Sequence, residues 1–333
     1  VLTSAPSNRF GLATVSPVKF AIIFSLVVVA VLSAWYFGIA QPAQRRLAEQ
    51  QRQDEARRAE VARLETQRKA EQNRDRQAAE QTPRSSIIPT SLRRDMPNVP
   101  DGRTITILDL NLELLPIPAG RFAMGSTNGD SDEKPVTQVE ITRPFWLGKT
   151  EVTQGQWESV MGSNPSYSKG ANRPVESVSY DDVLEFCRKL TERERAAGLL
   201  PSGYEYTLPT EAQWEYACRA GMTGNYDGNL DAVGWYADNS GGQLHLVAQK
   251  QANAWGLYDM LGNLWEWCLD WKGDYPGGVV RDWYGPNSGA FRVFRGGSSS
   301  DSKVSCRVTC RGGETPGQRL RNLGFRLALS GWA

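Results

Sequence analysis

Histidine is nearly absent from this chain: His245 is the single one in 333 residues. One imidazole excludes every multi-histidine metal site and most histidine-based acid–base catalysis. Cysteine is scarce as well. There are five, all after position 180 and none in a CxxC array, so a zinc ribbon is excluded. An odd number also leaves at least one thiol without a partner inside the chain. Net charge is almost absent, +1 from 38 Lys+Arg and 37 Asp+Glu, so the field that would hold a nucleic acid is missing. Charge of either sign is missing from Phe20 to Ala40, and Gly and Pro are missing from Gln44 to Glu80.

Those two local absences define the N-terminal organisation. Residues 1–19 form a short polar tail. The uncharged run 20–40 is long enough to cross a bilayer core as a transmembrane helix, and Trp35 and Tyr36 sit near one end, as an interfacial belt does. It is long for a signal peptide, and Gln41-Pro42-Ala43-Gln44 is a poor cleavage site. The residues that follow, 41–82, are rich in Ala, Glu, Gln and Arg, which favours a charged helical stalk. Leu47, Ala56, Val61, Leu64 and Ala70 are too sparse for a strict heptad. A weak coiled coil that makes a homo-oligomer is the sharper alternative. A polar linker covers 83–103. Arg45, Arg46, Arg52, Arg57 and Arg58 follow the span, against Arg9 and Lys19 before it. Positive-inside counting therefore places the C-terminal part in the cytoplasm.

The globular part, 104–333, holds all of the tryptophans but Trp35, out of eleven in the chain. It can bury a large core. Thr104–Glu113 has the composition of a strand. A helix is expected around Thr153–Met161. A second is capped by Ser179 with Gly198 past its end, and its apolar face is Val183, Phe186, Cys187 and Leu190. Thr210 to Gln213 is a capping box that opens a third, stopped by Gly221. After Gly221 long loops held by short strands are expected. The last stretch, 292–329, joins a strand at Arg292–Arg295, permissive glycines at Gly296 and Gly297, a turn at Thr315-Pro316-Gly317 and a last strand at Gly324–Leu327. The residues between these are short, polar and without periodicity. They build a surface, not a core.

Several motifs occur in a fixed order: Ile117-Pro-Ala-Gly-Arg-Phe-Ala-Met-Gly-Ser126, Glu151-Val-Thr153, Leu208-Pro-Thr-Glu-Ala-Gln-Trp-Glu-Tyr216, Gly256-Leu-Tyr-Asp-Met-Leu-Gly-Asn-Leu-Trp-Glu-Trp267, Arg295-Gly-Gly-Ser298 and Gly324-Phe-Arg-Leu327. Together they resemble the formylglycine-generating enzyme (sulfatase-modifying factor) family, from about Leu112 to Leu329. The resemblance implies an α+β, C-type lectin-like fold, poor in regular structure. It says nothing of the anchor or stalk. The family's enzyme holds copper on two cysteines of the final loop and oxidises a substrate cysteine, and soft thiolates suit Cu(I). Here that loop carries Cys306 and Cys310. Counted forward from Gly296, the family's pair falls on Asp301 and Cys306; counted back from Arg311, neither falls on a cysteine. Catalytic residues are therefore expected to be none, with no copper and no iron. The related sulfoxide-forming iron enzymes need several histidines, which this chain lacks.

The final loop is similar to something else: the variable segment of proteins that diversity-generating retroelements rewrite at adenines, whose targets often carry this lectin-like fold. Adenine changes in an AAC codon give Ser, Asp, Thr, Val, Gly, Cys, Leu or Arg. Those residues stand at Ser300, Asp301, Ser302, Val304, Ser305, Thr309, Cys310, Gly312, Gly313, Leu320 and Arg321, with Asn322 as an unmutated site. Ser299 stands where Trp is usual, and Lys303, Glu314 and Gln318 require other starting codons. The candidate ligand-binding set is therefore Ser299, Ser300, Asp301, Ser302, Val304, Ser305, Thr309, Cys310, Gly312, Gly313, Glu314, Gln318, Leu320, Arg321 and Asn322. Cys306, Arg307, Arg311, Pro316, Arg319, Gly324 and Phe325 are framework. Physically, a rigid scaffold presents side chains that change without touching the core, and short polar residues supply adaptable hydrogen bonds.

Two smaller sites follow from the resemblance. Asp259 and Glu266, with the Gly262 and Leu264 carbonyls, match a calcium loop, and oxygen-only ligands suit Ca²⁺; a tight turn capped by its own carboxylates is the alternative. A Cys218–Cys306 disulfide is implied as well. A disulfide requires an oxidising compartment, against the charge count. The expectation is a single-pass membrane protein with an extracytoplasmic domain that binds a protein or cell-surface ligand and no nucleic acid. The rival readings are a copper-dependent oxidase and a structural envelope component.

Overall fold

The structure, a computed structural model, describes residues 102–224 and 229–331 together with Val28. All of these but Val28 belong to the unit Arg93–Ala333. The anchor at 20–40 apart from Val28, the stalk at 41–82 and the linker up to Asp101 lie outside the described residues. Among the described residues no helix is long and apolar enough to cross a membrane.

The first strands show why the expected single strand at Thr104–Glu113 divides. Strand β1 (Ile105–Ile107) stops at a 3-10 turn over Leu108–Leu110, and Asn111 takes φ +48°, a left-handed value that asparagine tolerates. The chain then returns antiparallel as β2 (Leu112–Ile117), with Ile105 opposite Leu114. Next come β3 (Gly120–Met124), β4 (Thr137–Ile141) and β5 (Phe145–Gly148).

Three capping boxes open the helices. Thr153 caps α1 (Gln154–Met161), Ser179 caps α2 (Tyr180–Ala196) and Thr210 caps α3 (Glu211–Arg219). In each, the cap oxygen and the side chain three residues on satisfy each other's backbone N–H. Strand β6 (Tyr204–Thr207) lies between α2 and α3, and a short α4 (Leu230–Val233) follows. Past it come β7 (Trp265–Trp271), β8 (Val279–Arg281), β9 (Arg292–Arg295), β10 (Arg311–Glu314), β11 (Leu323–Gly324) and β12 (Ala328–Gly331).

The sheets are β1-β2-β5-β12-β6, β10-β9-β7-β11 and β3-β4-β8. The last strand therefore lies inside the first sheet, between β5 and β6, so the two ends of the domain share one sheet. Residues 325–327, expected to be that strand, are instead the crossing from one sheet to another. The Phe325 and Leu327 carbonyls accept from Val152 N (3.0 Å) and Gly148 N (2.7 Å). Under this crossing lies the aromatic centre of the core. Phe325 meets Trp157 and Phe186 edge-on, while those two rings stack 5.3 Å apart. A second apolar cluster, around Trp214, Met260, Cys268 and Cys306, underlies the loops after β9.

Candidate ligand-binding face

Buried arginines fix the backbone of the C-terminal segment. Arg295 is wholly buried; it ion-pairs with Glu215 and donates to the carbonyls of Val308 (3.0 Å), Thr309 (2.9 Å) and Cys310 (2.9 Å). Arg311 grips both oxygens of Glu211, at 2.7 and 2.6 Å. Arg326 grips both oxygens of Glu266, each at 2.6 Å, and holds the Gly148 and Tyr258 carbonyls. At the surface Arg307 pairs with Asp130 and Glu133, and Arg319 with Asp182. Bidentate guanidinium–carboxylate pairs fix direction as well as distance. The sequence marks Arg307, Arg311 and Arg319 as framework. It does not mark their acidic partners, which lie far away in the chain.

On this frame the candidate residues separate by exposure. Ser300, Ser302, Val304, Gln318 and Arg321 are exposed. Asp301, Ser305, Cys310, Gly312, Gly313, Glu314, Leu320 and Asn322 are half-buried. Ser299 and Thr309, expected at the surface, are buried at 3% and 1% exposure. Ser299 is drawn in because its N–H donates to the Asn263 carbonyl (2.9 Å) and its carbonyl accepts from Ser240 Oγ (2.6 Å). Thr309 is drawn in by Arg295. Gly312 is constrained as well, since a Cβ there would overlap the Phe294 ring. Asp301 is tied to the floor: its carboxylate accepts from Trp265 Nε1 (2.8 Å) and from Ser298 Oγ, and its carbonyl accepts from Ala237 N (2.8 Å). Trp265 thus underlies the loop, whereas Trp267, two residues on, is core.

A cleft of about 430 Å³ opens beside this face, between the chain at 167–176, the turn at 242–244 and the candidate residues Ser299, Ser300, Arg321 and Asn322. The Arg321 guanidinium lies 3.6 Å from the centre of the Tyr167 ring. Glu176 is buried in the wall, where it accepts from the N–H groups of Tyr167 and Ser168 and from Ser177 Oγ. None of these wall residues carried a sequence signal, because the fold brings them to the loop from distant parts of the chain, 167–176 and 242–244.

The calcium loop differs from its expected ligand set. Both oxygens of Glu266 are engaged, by Arg326 and by Trp214 Nε1 (2.7 Å). The Gly262 carbonyl accepts from Leu264 N (2.8 Å). The free buried oxygens are instead Asp259 Oδ1 and Glu151 Oε2. Burial, then the Asp259 and Glu266 charges, push the Glu151 carboxyl well up; burial pushes Asp259 up to about 6. Asp259 and Glu151 thus lie against each other with raised affinity for a positive charge, a shared proton or a cation, while Glu266 is already neutralised by Arg326. That fits a hard cation on Asp259 and Glu151, and it does not fit one on Glu266.

Comparison with known proteins places this geometry. Residues 109–330 match the model of the sulfatase-modifying factor enzyme 1-like domain. The chain belongs to this family. It is 32% identical over 261 residues to the chaperone protein LppX of Paenibacillus barcinonensis, covering 63% of this chain and 88% of that protein. It is 32% identical over 289 residues to the formylglycine-generating enzyme of Streptomyces coelicolor, covering 64% and 87%. Among solved structures, Treponema denticola variable protein 1 superposes with a TM-score of 0.62 at 32% identity, covering 68% of this chain and 98% of that one. The fold is thus the sheet-rich α+β, C-type lectin-like fold of the sulfatase-modifying factor family.

The cysteines of this family member depart from expectation. All five are free thiols, so the Cys218–Cys306 disulfide is corrected. Cys218 Sγ turns to the Met260 carbonyl (3.9 Å), while Cys306 packs beneath Gly297. Burial, then Asp301 and Cys310, push the Cys306 thiol up to about 12, and burial pushes Cys310 up as well. The Cys310 sulfur lies within 4.8 Å of ligand atoms of Asp130 and Glu133, but Arg307 already neutralises both carboxylates at 2.8 Å.

Proposed function

We propose that this chain is a membrane-anchored display protein. It binds a protein or cell-surface ligand through the C-terminal face of its lectin-like domain, and the exposed positions of that face are diversified by a retroelement. The observation that carries the reading is the division of labour in 292–329: Arg295, Arg311 and Arg326 hold the backbone from inside, while Ser300, Ser302, Val304, Gln318 and Arg321 face solvent beside a cleft. The likeness to a protein named as variable supports it. The test is genetic. A repeat near the gene that copies the codons for 292–329 and differs at adenines is expected; its absence contradicts diversification.

The anchor is Phe20–Ala40, and the stalk is the part that would pair copies. Display of a ligand-binding face requires the domain to lie outside the membrane, and that side is proposed against the charge count of the flanking arginines. Digestion of intact cells with an added protease is expected to remove 104–333; protection of that domain contradicts the assignment.

Calcium is the cation proposed for Asp259 and Glu151. It would supply charge neutralisation beneath the loop, and no chemistry. A hundredfold excess over Kd is expected to stabilise the protein by about 2.7 kcal/mol. A melting temperature indifferent to calcium and to chelator removes the site.

The names of the relatives favour a second reading, oxidation of a substrate cysteine to formylglycine. That chemistry needs a thiolate pair. Cys306 and Cys310 are out of register with the family's pair and are held protonated. Copper titration with a cysteine peptide is expected to give no turnover, and measurable aldehyde overturns the assignment.

A further inference from the structure

The cleft beside Ser300 has a charge of its own in a chain that is almost neutral. Lys169, Arg173 and Arg321 line it, three cations against one carboxylate, Glu176. Glu176 is spent internally, since its oxygens hold the N–H groups of Tyr167 and Ser168 and the hydroxyl of Ser177. The cations are left over. Lys169 Nζ donates to the Asn164 carbonyl (2.7 Å) and Arg173 donates to the Leu244 carbonyl, and among the described residues none of the three forms an ion pair with a carboxylate. By contrast Arg295, Arg307, Arg311, Arg319 and Arg326 of the same segment are paired with acids, and Arg292 stacks between Tyr180 and Trp271. Arg321 is moreover stacked on the Tyr167 ring, while none of its N–H groups has a partner among the described residues. A stacked guanidinium with free N–H groups presents a planar fork to a carboxylate. The hydroxyl and amide groups of Ser300 and Asn322 lie in the same cleft.

We propose that this cleft binds a carboxylate-bearing segment of a partner protein, an Asp- or Glu-rich peptide whose side chains reach Arg321, Arg173 and Lys169. This rests on the reading of the C-terminal face as a ligand site and adds the chemistry of the ligand. A peptide is favoured over an acidic sugar because sugars bind aromatic rings face-on, and Arg321 covers a face of Tyr167. Since Arg321 is at a candidate diversified position, the anion preference belongs to this version of the face, and another residue there would change it.

The test is calorimetric titration of the full chain in nanodiscs of neutral lipid with an acetylated, amidated hexaglutamate peptide. A hexaglutamine peptide and a hexamer of glucuronic acid are the comparisons. Hexaglutamate is expected to bind, and to bind more weakly as salt is raised. Arg321→Glu is expected to weaken it by at least about tenfold, the scale of one charge-assisted hydrogen bond. Tyr167→Ala, which frees Arg321 from its stack, should weaken it less, and Lys134→Glu, outside the cleft, should leave it unchanged. No binding, equal binding of hexaglutamine, or binding indifferent to Arg321→Glu overturns the proposal, and preference for the sugar acid overturns the peptide assignment. A failed titration leaves the repeat near the gene untouched, so the two readings fall separately.

Discussion

Gly324 has no room for a side chain. A Cβ there would overlap the Val175 carbonyl oxygen and press on Leu264. Its φ is not in the left-handed region, so the requirement is close approach of two backbones. Gly297 does take the left-handed value, φ +79°, and a Cβ on it would also lie 2.5 Å from the Cys306 sulfur. The glycine motifs were thus legible while their causes were not, because the opposing atoms come from other parts of the fold. The same scale governs the thiols. Cys187, Cys218, Cys268 and Cys306 are buried, and burial pushes each thiol up. In the native protein at pH 8 a disulfide reagent is expected to leave these four unmodified and to reach Cys310 alone, slowly. Rapid labelling of Cys306 would contradict its burial and reopen the oxidase reading.

At the scale of elements, α2 is tied to the C-terminal segment through one carboxylate. Asp182 accepts from the N–H of its own cap Ser179 (2.9 Å) and from two nitrogens of Arg319, both at 2.8 Å. Burial pushes this carboxyl up, but Arg319 and Ser179 outweigh burial and hold it below its ordinary 3.8. A carboxyl lowered on folding contributes stability that is fully present above its ordinary value and is lost as pH falls through the lowered one. Asp182→Asn is therefore expected to cost about 1 kcal/mol at neutral pH, the scale of a cap with an exposed pair, and to flatten the acid limb of stability. Urea midpoints across the acid range check it; a parallel shift at every pH contradicts it. Caps of this kind were readable because both partners lie within four residues. The strands were read less well. Nothing local to Ala328 announces that β12 will lie between β5 and β6, since its partners Leu147 and Thr207 are supplied by distant chain. The cleft was illegible for the same reason, with Tyr167 and Arg321 meeting only in the fold.

At the scale of the whole molecule, the claim is that one face varies while the rest stays fixed. The interior is committed: Phe325 joins the Trp157–Phe186 stack, and Arg326 closes a buried ion pair on Glu266. The face is not, since Ser300, Ser302, Val304, Gln318 and Arg321 stand in solvent. The measurement that tests this most directly is a chemical-denaturation series on two sets of variants in the same background. Changes at the five exposed positions are expected to shift stability by no more than about 0.5 kcal/mol. Phe325→Ala is expected to cost about 3–5 kcal/mol, Arg326→Met about 3–5 kcal/mol by stranding Glu266, and Gly297→Val and Gly324→Val are expected to unfold the domain. If the exposed set destabilises the protein as much as the framework set, the segment is structural, and the account of a variable binding face is contradicted.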